Sequence, residues 1–295
     1  MALNSKTQGR VYIQIIGNER SIIMKPWTIK AIYAGKLTVP KSVGAGGGVD
    51  ADLLLEFPFT CFLLRNGEEN ILVDNGMKES YLEQMAIGDV SAEGSTQLLL
   101  DGLAEEGLTP ADITSVIYTH LHYDHCANGD LFLDVPTYVQ RAEYNNLFCP
   151  YDFQAARMDY FPDTREWIQK CSNLILLDGD VKLANGLELF VTKGHSLGHQ
   201  SIVVPTAKGR YVLCGDVPDL LCSLFPKMDK MTLMDGSVID ITPVLNQRFT
   251  TSAFINDLFG AYESHYKQLS KAEKLEPEYF ICSHEPSNIV RKYWG

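Results

Sequence analysis

Positive charge is in short supply in this chain. Lys and Arg number 25 against 37 Asp and Glu, a formal net charge of −12. Phosphate affinity needs clustered Lys and Arg, so this balance excludes a general nucleic-acid binder while leaving room for a small local basic patch. Long apolar runs are missing too: no stretch reaches the roughly 18 residues of a membrane span. The N-terminal run VYIQIIG is short, contains Gln and is followed by Asn18 and Glu19, unlike a signal peptide. The 7 Cys are odd in number, scattered and never in a CxxC pair. That argues against a disulfide framework and makes the cytoplasm the expected compartment. Most of these cysteines read as core residues, whereas Cys126 lies beside a histidine cluster and reads either as core or as the lining of a site. Glycine is dense only in GAGGGVD (44–50), a flexible loop whose spacing fits neither a dinucleotide nor a phosphate loop. There is no internal repeat and no low-complexity linker.

What remains is an ordinary globular composition, 45% hydrophobic and 21% charged over 295 residues, within range of a single α/β domain spanning 1–295. Short apolar runs read as buried strands, among them CFLLRN, NILVDNG, SVIYTH, TYVQ, LELFV, QSIVVP, RYVLCGD and YFICSH. STQLLLDGLAEEG and AFINDLFGAYESHYKQLSKAEKL read as helices between them. The pattern predicts a layered α/β fold. Residues 217–250 are irregular and Met-rich, and read as a pocket-forming insertion.

Histidine is also scarce, 7 in the whole chain, yet three fall in THLHYDHCAN (119–128). The predicted strand SVIYT runs straight into His120, so HLHYDH gathers His120, His122, Asp124 and His125 in one tight turn. Neutral imidazole nitrogen and carboxylate oxygen are metal donors, and two metals close together would use such a cluster economically. VTKGHSLGHQS carries His195 after a strand, RYVLCGD ends in Asp216 and YFICSH ends in His284. Each sits at a strand exit, where open α/β sheets present functional groups.

HxHxDH, GHxxGH, a strand ending in Gly-Asp and a strand ending in Ser-His, in this order over roughly residues 60 to 285, resemble the metallo-β-lactamase superfamily. The resemblance implies a four-layer αββα sandwich with two mixed sheets face to face. It implies that His120, His122 and His195 hold one metal, that Asp124, His125 and His284 hold a second, and that Asp216 bridges them. Asp74, closing NILVD, matches an Asp that orients a ligand histidine by hydrogen bond. His199 supports the loop or pocket without touching metal. His265, in a helical pattern, is expected at the surface.

Two divalent ions lower the pKa of a bridging water so that hydroxide exists near neutral pH and can attack a carbonyl, with negative charge stabilised on one metal. Asp124 and Asp216 would be the catalytic ligands, Asp124 combining ligation with proton transfer to the leaving group. Histidine at position 122, where oxygen-reducing diiron relatives typically carry a carboxylate, favours hydrolysis. Zn²⁺ is the default ion; Mn, Fe or Co suit the same donors.

The words HLHYDHCAN, YVQRAEY, GHSLGHQS and FTCFLLRNGEENILVDNGM resemble N-acyl-homoserine lactonases and related small lactonases. Those enzymes often carry a Tyr shortly after the bridging Asp; here Asp216 is followed by VPDLLCSLFP. Tyr151 or Tyr160 is the expected replacement in holding the substrate carbonyl, or else the substrate differs. The expected function is opening of a lactone or related cyclic substrate. A cyclic amide hydrolase and a glyoxalase II-like thioesterase are the alternatives, a phosphodiesterase comes after them, and a non-enzymatic member is disfavoured by the complete ligand set. The aromatic-rich stretch 143–167 reads as a pocket wall or as ordinary core, and PKMDKMTLMDG as a lid or a dimer contact. The expected partner is a small molecule, with no nucleic acid and no membrane, and a homodimer is compatible with the sequence.

Overall fold

The computed structural model describes residues 25–84 and 92–295; the run at 11–17 lies outside them. The strands in chain order are β1 Thr28–Pro40, β2 Leu54–Arg65, β3 Asn70–Val73, β4 Ala92–Gly94, β5 Ser115–Ile117, β6 Thr137–Gln140, β7 Leu174–Leu177, β8 Val181–Lys182, β9 Glu188–Val191, β10 Gln200–Thr206, β11 Gly209–Gly215, β12 Lys230–Thr232, β13 Val238–Asp240, β14 Phe280–Cys282 and β15 Tyr293–Trp294. One sheet is ordered β15-β1-β2-β3-β5-β6-β7, with β4 paired to β1. The second is β14-β11-β10-β9-β8. This is the four-layer αββα sandwich, with helices outside the two sheets.

The layering follows from strands that are apolar on both faces. Ile29 and Ala31 of β1, Phe62 and Leu64 of β2, and Ile71 and Val73 of β3 point into the core shared with Ile202, Val204, Leu213 and Phe280 of the other sheet. Their neighbours Ile32, Cys61, Leu63 and Leu72 point the other way, against Leu99 and Leu103 of the helix Thr96–Ala104 and Trp167 and Ile168 near the end of the helix Pro162–Ile168. The two-residue side-chain period thus divides one continuous apolar run between two cores. Ser95 caps the helix Thr96–Ala104 by accepting the Leu98 N–H.

Residues 217–250 form a short helix, Leu221–Leu224, and the hairpin β12–β13. Leu220, Cys222, Met231 and Ile241 pack on Val39, Leu55 and Phe57 as a third small core. PKMDKMTLMDG is therefore the first strand and turn of a packed hairpin and is not a lid. Cys126 is fully buried in the helix-side core, its Sγ 3.3 Å from the Leu121 carbonyl. Among the described residues, no helix is long and apolar enough to cross a membrane.

His265 departs from its expected place. It lies within the helix Leu258–Lys271, is 1% exposed, and packs its ring 5.0 Å from that of Phe249. A polar residue on the inner face of an amphipathic helix gives no sign of its burial in the residue pattern alone. Burial lowers its pKa from 6.5 to about 4. Below 6.5 the unfolded chain binds a proton that the folded chain refuses. The associated stability is full above 6.5 and falls as pH drops toward 4. Between about pH 7.5 and about pH 5.5 this costs roughly 1.3 kcal/mol. His265→Leu is expected to lose that part of the acid sensitivity, read as urea midpoints at the two pH values; an unchanged difference between midpoints would refute it.

Candidate metal centre

Parallel alignment brings the site together. β3 and β5 are parallel neighbours in one sheet, and β11 and β14 are parallel neighbours in the other. β9 runs with β11 because both are antiparallel to β10. The C-terminal ends of all five lead into Asp74, His120, His195, Asp216 and His284, so the polar residues emerge along one edge of the sandwich.

Donor atoms converge in four sets whose members lie within 4.8 Å of one another: His120, His122 and His195; His120, His125 and Asp216; Asp124, His125 and His284; and His195, Asp216 and Asp219. His122 Nδ1 and His195 Nε2 approach to 2.8 Å. Asp216 Oδ2 stands at the centre, 3.1 Å from His284 Nε2, 3.2 Å from His125 Nε2, 3.5 Å from His195 Nε2 and 3.7 Å from His120 Nε2. Asp124 Oδ2 lies 3.6 Å from His284 Nε2 and 3.7 Å from His125 Nε2.

The far sides of these rings are held by protein. Asp74 accepts the Thr119 N–H (2.8 Å) and the Thr119 hydroxyl (2.7 Å), and lies 2.8 Å from His125 Nδ1. His284 Nδ1 meets the Pro58 carbonyl at 2.9 Å. His199 is bonded at both nitrogens: Nδ1 faces the Thr192 carbonyl (3.0 Å), and Nε2 accepts the Asp216 N–H (2.9 Å). With both ring nitrogens engaged, it positions the backbone of Asp216. Gly215 must be glycine here, because its φ is +66° and a Cβ would fall 2.3 Å from His199 Nε2.

This donor set fits metal binding. His120 Nε2 and His125 Nε2, both turned toward Asp216, and Asp216 Oδ1 are buried without a hydrogen-bond partner, a costly arrangement unless a cation satisfies the group. Burial lowers the pKa of His120 and His122 well below the usual value and that of His195 to about 4, which keeps the imidazoles neutral, the ligating form. Around Asp216 the balance reverses. Burial opposes the charged form of His284, yet Asp216 and Asp124 outweigh it and raise the pKa to about 9. His125 is raised well above its usual value in the same way. The carboxylates call for positive charge at this point.

Residues 56–284 match the family described as the metallo-beta-lactamase superfamily. The chain belongs to that superfamily. Among curated superfamily relatives it is similar to an N-acyl homoserine lactonase of Bacillus cereus, 32% identical over 200 residues, covering 63% of this chain and 74% of the relative. It is also similar to the metallo-beta-lactamase domain-containing protein 1 of Homo sapiens, 28% identical over 200 residues, 65% of this chain and 66% of the relative. Among solved superfamily structures, an N-acyl homoserine lactone hydrolase with the product N-hexanoyl-L-homoserine bound at its catalytic metal centre aligns with a TM-score of 0.63 at 23% identity, over 87% of this chain and 92% of that one. The dizinc quorum-quenching lactonase AidC aligns with a TM-score of 0.57 at 15% identity, over 85% of each. These structural likenesses carry the metallo-beta-lactamase fold. As a lactonase-like member of the superfamily, the chain is a metal-dependent hydrolase.

The cleft over the centre differs from the expected one. Its apolar wall comes from Leu37, Val39, Val43, Phe57, Phe59 and Phe254, and its polar lining includes Tyr123, Asp159 and Asp219 beside the cluster. Neither expected tyrosine lines it. Tyr160 is buried, its hydroxyl 2.9 Å from both Glu143 Oε1 and Asn146 Oδ1. Tyr151 is exposed, stacks near Phe153 and opens on a neighbouring pocket. Of residues 217–250 only Asp219, with Asp216 excluded by position, reaches the cleft. Asp219, three residues beyond Asp216, is a lone acid in the apolar stretch VPDLLCSLFP, a signal that the sequence reading passed over. Asp159 sits 3.9 Å from His122 Nε2 and is held bidentately by Arg157 at 3.1 and 2.6 Å. Phe57 and Phe59 share one side of β2, but only its pairing with β1 aims that side at the cleft.

Proposed function

We propose that this chain opens an uncharged lactone at a dinuclear centre held by His120, His122 and His195 on one side, Asp124, His125 and His284 on the other, and Asp216 between. The observation that carries the substrate class is the lining of the cleft: an apolar wall and four aspartates, with no Lys or Arg among the described residues. The nearby guanidinium of Arg157 is engaged by Asp159. Beyond the atoms held by the ions, an anionic phosphodiester or glutathione conjugate would meet Asp159, Asp219 and apolar side chains, whereas a neutral ring bearing an apolar substituent meets complementary surface. The similarity to N-acyl homoserine lactonases supports the same class.

When bound, divalent ions supply Lewis acidity and an activated water near neutral pH. Zn²⁺ is the ion we favour from the His and Asp donors; Mn²⁺, Fe²⁺ and Co²⁺ suit them as well. The chain's own contribution is positional. Asp74, the Pro58 carbonyl and His199 hold His125, His284 and Asp216 in register. Asp124 can carry a proton toward the departing oxygen. Tyr123 and Asp219 stand where the substrate carbonyl and its neighbouring polar groups would lie, in place of Tyr151 and Tyr160.

A panel of neutral lactones, matched lactams, glutathione thioesters and phosphodiesters tests this reading with metal-loaded protein. Lactones are expected to turn over at least about tenfold faster in kcat/KM than either anionic class, a difference of roughly 1.4 kcal/mol. Faster turnover of a thioester or phosphodiester than of every ring substrate would overturn it. An alkoxide leaves more readily than an amine anion. Asp124→Asn, reloaded with metal, is therefore expected to hurt a lactam more than its matched lactone.

A further inference from the structure

We infer that Glu143, outside the seven-residue donor set, is a positioning residue that clamps the two loops carrying His120, His122 and His195 so that these three imidazoles meet at one point. This rests on the dinuclear reading above and concerns its first ion.

Glu143 lies in the helix Arg141–Phe148 and is completely buried. Its two oxygens divide their work between the loops. Oε1 accepts the N–H of Leu121 (3.0 Å), the residue between His120 and His122, and lies 2.9 Å from the Tyr160 hydroxyl. Oε2 accepts the hydroxyl of Ser196 (2.6 Å), which follows His195, and the N–H of Gly198 (3.0 Å). Tyr160 in turn sets its ring 5.0 Å from His122, so the clamp also braces one imidazole from the side. The GHSLGH loop comes so close that a Cβ on Gly198 would fall 2.1 Å from the Glu143 backbone nitrogen, which accounts for that glycine.

A carboxylate offers acceptor sites only, and here four donors fill them. No neutral side chain of the same shape can do this. Glutamine would turn an NH₂ group toward donors on one side or the other, breaking the bonds to one loop while keeping those to its partner. The two loops share no sheet pairing. Leu121 follows β5 and Ser196 follows β9, in different sheets. The bases of the two loops meet where the Thr119 carbonyl accepts the Gln200 N–H (2.9 Å) and the Tyr118 carbonyl accepts a bond from Gln200 Nε2 (2.7 Å). Beyond those bonds Glu143 is the side-chain bridge that sets where the imidazoles meet. Residues that orient ligands in this manner commonly control metal affinity by about 10–100-fold.

The test is a titration of metal-stripped protein with Co²⁺, followed by its visible spectrum and by calorimetry, for wild type, Glu143→Gln, Ser196→Ala and Tyr160→Phe. Wild type is expected to bind two ions. Glu143→Gln is expected to bind one ion with wild-type affinity and the other at least about tenfold more weakly, with a changed spectrum for the weakened ion. Ser196→Ala removes one bond of the clamp, keeps the fold if Glu143→Gln does not, and is expected to weaken the same ion several-fold. Tyr160→Phe is expected to do so through the other Glu143 oxygen, Oε1, which holds Leu121. Two ions bound by Glu143→Gln and Ser196→Ala within about threefold of wild type, with the same spectrum, would overturn the clamp and leave the dinuclear reading standing. Wild type that binds fewer than two ions would overturn that reading, and the clamp with it. Equal weakening of both ions would show a general loss of structure and also overturn the clamp.

Discussion

Asp216→Asn is expected to lower kcat/KM on the best ring substrate by on the order of 10³-fold, roughly 4 kcal/mol in the barrier. The carboxylate oxygen Oδ2 lies between 3.1 and 3.7 Å from four histidine nitrogens belonging to both halves of the centre, so no other residue can bridge in its place. Asparagine has the same shape, and the bond from His199 is made to the backbone N–H of residue 216, so the loop is expected to keep its course. The substitution removes charge: the largest part of the attraction that raises the pKa of His125 and His284 is lost, together with the anionic donor proposed to stand between the two ions. His120→Ala is expected to act in the same direction, with an added cost for the cavity left by a fully buried ring. Far-UV circular dichroism separates lost chemistry from lost fold. Activity of a folded Asp216→Asn protein within about tenfold of wild type, roughly 1.4 kcal/mol, would show that the centre is structural.

Removal of metal is the second large effect. Purified protein is expected to hold close to two ions per chain by elemental analysis. Dialysis against a chelator is expected to remove all hydrolysis, with recovery on adding Zn²⁺ or another divalent ion that suits His and Asp donors. Stability falls with it. Ions present at about a thousand times their dissociation constant stabilise the folded state by roughly 4 kcal/mol per site, about 8 kcal/mol for two, a fall on the order of 15 °C in Tm for a domain of this size. The physical source is the set of buried atoms at the centre that have no hydrogen-bond partner, His120 Nε2, His125 Nε2 and Asp216 Oδ1, and the carboxylates packed against them. Full activity after complete stripping, or a melting temperature that does not move, would sink the metal reading.

Much of this could be read from residue types in order. HLHYDH, GHSLGH, the Gly-Asp ending of RYVLCGD and the Ser-His ending of YFICSH identify the seven residues whose donors converge, because each short motif sits at the end of a strand and the strand is visible in its apolar run. Asp74 could be read for the same reason. The substrate cleft was far less legible. Tyr151 and Tyr160 were plausible from composition, yet one hydroxyl is tied up by Glu143 and Asn146 and the other ring faces a neighbouring pocket. Leu37, Phe57 and Phe254 come from segments far apart in the chain, and nothing local distinguishes them from core. His265 misled for a related reason: a helical period shows a face, and whether another element covers that face is a tertiary fact.

By itself, then, the sequence determined the chemistry of the centre, since donor type is a property of each side chain and strand-end placement follows from local patterning. It determined the superfamily and the layered α/β class on the same grounds. Only the tertiary structure decided how the two sheets' loops are held together, that Glu143 bridges them, that Asp159 and Asp219 face the cleft, and that its wall is apolar, with no Lys or Arg among the described residues. These depend on the packing of β1 and β2 against loops from the other sheet. Such contacts join residues well beyond one strand or helix, Glu143 with Leu121 at 22 positions and with Ser196 at 53, where the short-range periodicity of a strand or helix carries no information.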